Sequence, residues 1–89
     1  MSPLFRLNAL QNELRDVLSL SLNDYRLEVQ EGDVRATFIG MQLHSVFQPI
    51  FNLDTNIPFG YEALLRASDL NGNAIAPLVA FRKAEVAGK

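Results

Sequence analysis

The chain has 89 residues, with 8 basic and 10 acidic side chains, a formal net charge of −2 and no cysteine. This length fits one small domain or a piece of a larger one, and the lack of cysteine excludes disulfides. The charge has no basic block, which argues against a binder of long nucleic acids. No apolar run approaches the roughly 20 residues that span a bilayer and no signal-peptide pattern is present, so we expect a soluble cytoplasmic protein.

The first segment, from Pro3 to about Leu20, has the pattern of a helix. Ser2 is a good N-cap, and Pro3 suits the first helical position because its missing N–H costs nothing there. Asn23-Asp24 is the predicted end. Apolar residues at spacings of three and four predict one core-facing stripe: Leu7, Leu10, Leu14, Val17 and Leu18.

Alternating apolar and polar residues follow the predicted helix. Residues 25–30 and 34–38 alternate on either side of the turn signal Glu31-Gly32-Asp33, which predicts a β-hairpin. Gly40 predicts a break, and residues 41–43 fit either a strand or a loop.

A second pair of strands is predicted over residues 44–51 and 59–66, where the short link favours antiparallel pairing. Pro49 has no N–H to donate to a ladder, so we expect it at an edge, a bulge or a strand end. Three phenylalanines of these strands are expected in the core: Phe47, Phe51 and Phe59.

The last segment changes from loop to helix. Residues 68–73 contain Asn71-Gly72, the sharpest turn signal of the chain. From Pro77 the pattern becomes helical, with Leu78, Phe81 and Ala84 on one predicted side. The predicted fold class is therefore α+β, with an N-terminal helix, β-hairpins and a C-terminal helix.

Glu62 and Arg66 are the candidate functional residues. Alternate residues of a strand share a face, so Glu62, Leu64 and Arg66 point the same way. We expect this strand to be covered on both faces, where a carboxylate is costly unless it is paired or bound to a cation. Arg66 lies roughly 13 Å away, too far to pair with it. A metal at Glu62 and a phosphate at Arg66 would remove both costs.

A simpler interpretation stands beside this one. Glu62 fits an ordinary solvated strand edge, and no other residue of the chain completes a metal site. His44, the one histidine, fits a structural or an exposed position.

A family resemblance spans residues 43–88, about half of the chain. Phe47-Gln48-Pro49-Ile50, a turn, and then Gly60-Tyr61-Glu62-Ala63-Leu64-Leu65-Arg66 resemble the start of an EAL domain, a cyclic di-GMP phosphodiesterase family named for the Glu-Ala-Leu at 62–64. The similarity continues without gaps through Pro77, Ala84, Glu85 and Gly88. Residues 1–42 carry no family signature, and we interpret them as a helix and hairpin leading into the domain.

The resemblance implies a modified (β/α) barrel whose first strand is antiparallel to the others. It implies hydrolysis of cyclic di-GMP to the linear dinucleotide with Mg²⁺ or Mn²⁺. Glu62 would correspond to the first metal-ligating glutamate and Arg66 to the arginine that holds a ligand phosphate. Gln48 would lie on the ligand-facing side of the first strand. Ala80 and Arg82 depart from the phenylalanine and proline usual in the family, at packing positions.

A closed barrel needs about 250 residues, so this barrel is incomplete. The family's other metal ligands and its general-base lysine would lie beyond Lys89. We therefore expect no phosphodiesterase activity and no firmly held metal from this chain alone. The chain is then part of an active phosphodiesterase or, alternatively, a short non-catalytic remnant that acts as an interaction or oligomerisation module. A small α+β domain with an accidental match is the third possibility. Unpaired strand edges also predict self-association.

Overall fold

The computed structural model describes residues 2–88. The two helices and five strands are, in chain order, α1 (Pro3–Leu18), β1 (Arg26–Gln30), β2 (Asp33–Phe38), β3 (Met41–Phe51), β4 (Pro58–Asp69), β5 (Ala74–Ile75) and α2 (Pro77–Val86). The strands form one open antiparallel sheet in the order of the chain. The α+β prediction is confirmed. The expected division between residues 42 and 43 falls within β3, so one sheet continues across it.

Helix α1 begins as the sequence predicts and ends earlier. The Ser2 hydroxyl accepts a hydrogen bond of 3.2 Å from the Phe5 N–H. The helix stops at Leu18 because Ser19 adopts a left-handed conformation with φ of 58°. The Leu20 N–H then bonds to the Leu14 carbonyl at 2.9 Å, which closes the helix and returns Leu20 to the core. Glycine is the usual residue at a left-handed helix end, so the serine at position 19 does not indicate from sequence that the helix ends there.

Two tight turns set the first three strands. Glu31-Gly32 joins β1 to β2, and Ile39-Gly40 joins β2 to β3. All four residues have positive φ, as two-residue hairpin turns of the mirror-image type require. Residues 41–43 are therefore strand, and the break predicted at Gly40 is a second hairpin turn.

The β3–β4 hairpin extends beyond its neighbours. Strand β2 pairs with β3 only as far as Leu43, whereas β3 pairs with β4 along its whole length. Strand β5 pairs with β4 only at Ala67 and Ser68. We call residues 46–63, which reach past both neighbours, the hairpin arm. Pro49 lies on its unpaired β3 edge, which confirms one of the positions expected for it.

The core lies between the two helices and one face of the sheet. The sheet contributes Val34, Ala36, Phe38, Met41 and Leu43, and α1 contributes Leu10, Leu14 and Leu18. We call this side of the sheet the core face and the opposite side the outer face. The expectation of three core phenylalanines is wrong. Phe47 is half-buried, but Phe51 and Phe59 are exposed because they lie on the hairpin arm.

Helix α2 packs through small residues. Ala80 and Ala84 are buried, whereas Leu78 and Phe81 are exposed, which corrects the predicted stripe. A single residue, Ala76, links β5 to α2. Such a short link fixes the rotation of the helix about its axis. In this orientation Ala80 and Ala84 face the core.

Candidate functional site

The β3–β4 register brings the predicted site residues together on the outer face. Gln48 lies directly opposite Glu62, and Arg66 lies directly opposite His44. Residues directly opposite in an antiparallel pair share a face, with Cβ atoms roughly 5 Å apart. Between these two rows, Val46 lies opposite Leu64. One hairpin therefore positions Gln48, Glu62 and Arg66 on a single surface.

Glu62 is exposed, so the expectation that its strand is covered on both faces is wrong. Both helices pack on the core face, and no described element covers the carboxylate. Glu62 makes no ion pair or hydrogen bond with any residue of the range 2–88. Its charge is stabilised by water, so the argument from the cost of burial does not apply here. Its carboxylate and the Gln48 amide are instead free to meet a ligand.

Arg66 is also exposed, and its guanidinium makes no ion pair within the described chain. Its one hydrogen bond is a long contact of 3.4 Å to the carbonyl of Leu65. It lies four positions along the strand from Glu62, roughly 13 Å between Cα atoms. The two charges therefore do not neutralise each other, as predicted, and each can act on a different part of a ligand.

His44 is a residue whose position the sequence did not predict. Its Nδ1 atom is buried and has no hydrogen-bond partner among residues 2–88. Partial burial and the nearby positive charge of Arg35 lower the pKa of the imidazole below 6.5, with a smaller contribution from Arg66, while Asp33 opposes the shift. The imidazole is therefore mostly neutral at pH 7. His44 belongs to no sequence motif, so its position opposite Arg66 is known only from the strand pairing.

The core face directly behind this site is held by α1. The centres of the Phe47 and Phe5 rings lie 5.7 Å apart. The Arg6 guanidinium lies 5.7 Å from the centre of the Phe47 ring. The Ser45 hydroxyl donates a hydrogen bond of 3.0 Å to the Glu13 carboxylate. Helix α1 therefore fixes the strand segment that carries Gln48.

Asp69 and Asp54 are two other acids of the β3–β5 region, and both lie outside the candidate site. The Asp69 carboxylate accepts hydrogen bonds from the N–H groups of Asn71 and Asn73 and from the Asn73 amide. These bonds lower the pKa of Asp69. Asp54 lies in the exposed tip of the hairpin arm. Neither of these carboxylates joins Glu62.

The donor atoms of this surface suffice for only part of a metal site. Within residues 2–88, no group of three or more histidine, cysteine, aspartate or glutamate side chains could hold a metal ion. Glu62 offers two carboxylate oxygens and Gln48 one amide oxygen, at most three of the six or more ligands of a hard cation. These two residues fit a share of a metal site, with the rest coming from water, ligand or other protein groups.

Comparison of the chain with protein-family models, with curated proteins and with solved structures gave no match. The likeness to the EAL family therefore depends on the residues at 47–50 and 60–66 and on their arrangement. No helix in residues 2–88 is long and apolar enough to cross a membrane.

Proposed function

We propose that this chain is the N-terminal portion of an EAL-type cyclic di-GMP phosphodiesterase domain. One observation carries the proposal: Gln48, Glu62 and Arg66 lie on the same exposed face of one hairpin, with Gln48 directly opposite Glu62. These are the residues to which the family resemblance gives ligand and metal contacts. Strand alternation puts Glu62 and Arg66 on one face in any case, so the independent support is the position of Gln48 opposite Glu62. The proposal includes the barrel fold of the whole domain and a cytoplasmic location.

Each residue has a defined task in the proposed reaction. Glu62 would hold one of the two divalent cations, and the Gln48 amide directly opposite it would face the ligand. When bound, such cations activate water and stabilise an in-line displacement at phosphorus. Arg66 would hold a phosphate of the cyclic dinucleotide through charge-assisted hydrogen bonds and orient it for attack. The 13 Å or so between the two positions is compatible with a ligand that has two phosphates.

The chain alone should not catalyse the reaction, because one glutamate does not make a two-metal site. The direct test is to express the whole reading frame that encodes this chain and to measure cyclic di-GMP hydrolysis with Mg²⁺ or Mn²⁺. Glu62→Gln should lower turnover by at least about a hundredfold. Glu28→Gln, an exposed glutamate of β1 on the same face, is the matched control and should leave turnover unchanged.

Two results would contradict the catalytic proposal. One is a reading frame that ends at Lys89. The other is full activity in the Glu62→Gln variant.

The alternative, a non-catalytic interaction module, is favoured by the hairpin arm. Its apolar side chains are exposed, and the edges of both its strands lack partners in the described sheet. Such an edge can pair with a strand of another chain. The exposed apolar residues of the arm and its tip are Val46, Ile50, Phe51, Leu53, Ile57, Phe59 and Tyr61. Under this alternative the chain would self-associate through the arm.

A further inference from the structure

His44, Arg66 and Arg35 form a row across three strands of the outer face. His44 lies directly opposite Arg66. Strand β2 pairs with β3 through Ala36–Leu43 and Thr37–Gln42, and the next position of this register sets Arg35 beside His44. The Arg35 guanidinium lies 3.4 Å from the Gln42 amide oxygen, on this same face.

The members of this row differ in how their charge is balanced. Arg35 donates a hydrogen bond of 2.8 Å to the Asp33 carboxylate, so an acid already balances it. Arg66 has no acidic partner among residues 2–88, and His44 Nδ1 is buried without a partner. Since Nδ1 is buried, Nε2 is the nitrogen left to a ligand. The two neighbouring residues thus have unused donor capacity on an exposed surface.

We propose that His44 and Arg66 together bind one phosphate group, with the imidazole contributed by β3 and the guanidinium by β4. A phosphodiester has two non-bridging oxygens, whose lone pairs are enough to accept from two guanidinium N–H groups and one imidazole N–H. This inference deepens the proposed function and depends on it for the identity of the ligand. His44 lies outside the matched motif segments, so its part in the site comes from the strand pairing and the unpartnered Nδ1 atom.

Both sides of the site restrict the ligand further. Asp33 and its partner Arg35 lie on the β2 side of His44, so a carboxylate borders the site there. Toward the hairpin arm, the next row is Val46 and Leu64, which offers apolar contact and no charge. A ligand with one phosphate over His44 and Arg66 and an apolar or aromatic part over Val46 and Leu64 fits this surface.

The single histidine makes a clean experiment, because one set of imidazole signals reports on the site. The full chain, labelled with ¹⁵N, is titrated with inorganic phosphate at constant ionic strength, and a sodium chloride series at the same ionic strength is the reference. We expect saturable shifts of the His44 ring signals. A bound anion should also raise the pKa of His44, since it favours the imidazolium form.

Matched variants distinguish specific phosphate binding by His44 and Arg66 from non-specific attraction to positive charge. Arg66→Gln and His44→Gln, followed by calorimetry, should each weaken phosphate binding about tenfold, the loss expected for one charge-assisted hydrogen bond. Arg66→Lys should retain part of it. Arg26→Gln, which removes an exposed arginine of β1 on the same face, should leave binding unchanged. Circular dichroism confirms that each variant is folded.

Two results would overturn the proposal. The first is a linear, non-saturating shift that is equal in wild type and in Arg66→Gln. The second is unchanged phosphate affinity in folded His44→Gln, since Arg66 would then act alone. If phosphate binds as expected and the whole reading frame does not hydrolyse cyclic di-GMP, the proposed function fails while this inference stands.

Discussion

The Glu13 carboxylate on α1 accepts a hydrogen bond of 3.0 Å from the Ser45 hydroxyl on β3, across 32 residues of sequence. Both side chains are partly buried. This bond and the contact between Phe5 and Phe47 fasten the N-terminal helix to the strand that carries Gln48 and His44. The helix without a family signature therefore sets the position of residues that have a proposed function.

Breaking this link should lower the stability of the chain. We expect Ser45→Ala to reduce the free energy of unfolding by about 1 kcal/mol, because Glu13 loses its partner in a partly buried place. Glu13→Gln keeps an oxygen acceptor and should cost less. Urea unfolding at pH 7 measures both. A Ser45→Ala chain as stable as the wild type would show that water replaces the bond without cost.

Leu14 is completely buried between α1 and the sheet, and Leu53 at the tip of the hairpin arm is 97% exposed. Leu14→Ala should reduce the free energy of unfolding by about 2–5 kcal/mol through lost burial and a cavity. For a chain of this size that loss is comparable with the whole stability. Leu53→Ala is the matched control and should stay within about 0.5 kcal/mol of the wild type. Equal effects of the two changes would contradict the described core.

The turn between β2 and β3 has a β-branched residue in an unfavourable conformation. Ile39 has φ of 41°, and Gly40 has φ of 76°. Asn-Gly is the preferred pair for this turn, so Ile39→Asn should raise the free energy of unfolding by about 0.5–1 kcal/mol. Gly40→Ala should lower it by about 1–2 kcal/mol because of backbone conformation alone, since an added Cβ would meet nothing within 4 Å. Thermal unfolding distinguishes the two signs.

The lowered pKa of His44 predicts a pH dependence of stability. Burial and the charge of Arg35, and to a lesser extent Arg66, favour the neutral imidazole in the folded chain, while Asp33 opposes them. Below the unfolded pKa of 6.5 the unfolded chain binds more protons than the folded chain. Stability should therefore fall as the pH drops from 6.5 through the lower folded pKa.

His44→Gln tests this dependence, because it removes the titrating group. The melting temperature of the variant should change less than that of the wild type between about pH 7 and about pH 5. Asp69→Asn is the control, since the pKa of Asp69 is already lowered by its hydrogen bonds from Asn73 and Asn71 and its effect belongs to more acidic solutions. Parallel melting curves for wild type and His44→Gln would contradict the predicted sign.

The exposed hairpin arm predicts concentration-dependent association. If the arm pairs with a second copy, sedimentation at increasing concentration should show dimers or larger species. Ile57→Lys or Phe59→Lys places a charge among exposed apolar side chains and should reduce the association. Leu78→Lys, on the exposed side of α2, is the control and should have no effect. A monodisperse monomer at high concentration would reject self-association through the arm.

Local signals in the sequence predict much of the fold. Ser2-Pro3 and a leucine stripe define the start and the buried side of α1, and Glu31-Gly32 defines the first hairpin. The second turn is not predicted from the sequence, because isoleucine at position 39 rarely adopts the positive φ that this turn requires. The side of α2 that faces the core depends on the one-residue link at Ala76. The spacing of apolar residues in the helix does not predict this orientation.

The candidate site could be predicted only along one strand. Alternation places Glu62 and Arg66 on the same face without any knowledge of pairing. The partners of these residues, Gln48 and His44, follow from the β3–β4 register. That register depends on the irregularity between Ile50 and Phe51 and on the turn beyond it, which pattern reasoning does not resolve. For this reason the sequence alone does not indicate that His44 lies beside Arg66.

The continuous sheet has a consequence for how this chain can change. Of the buried apolar residues in the described chain, all but Ala80 and Ala84 occur at or before Leu43. The residues that resemble a known family occur at or after it. Substitutions in the second half can thus change the exposed face of the hairpin while leaving most of the buried core intact, whereas the first half can change only within the limits of packing. A boundary drawn at the motif would separate the motif from most of the buried core.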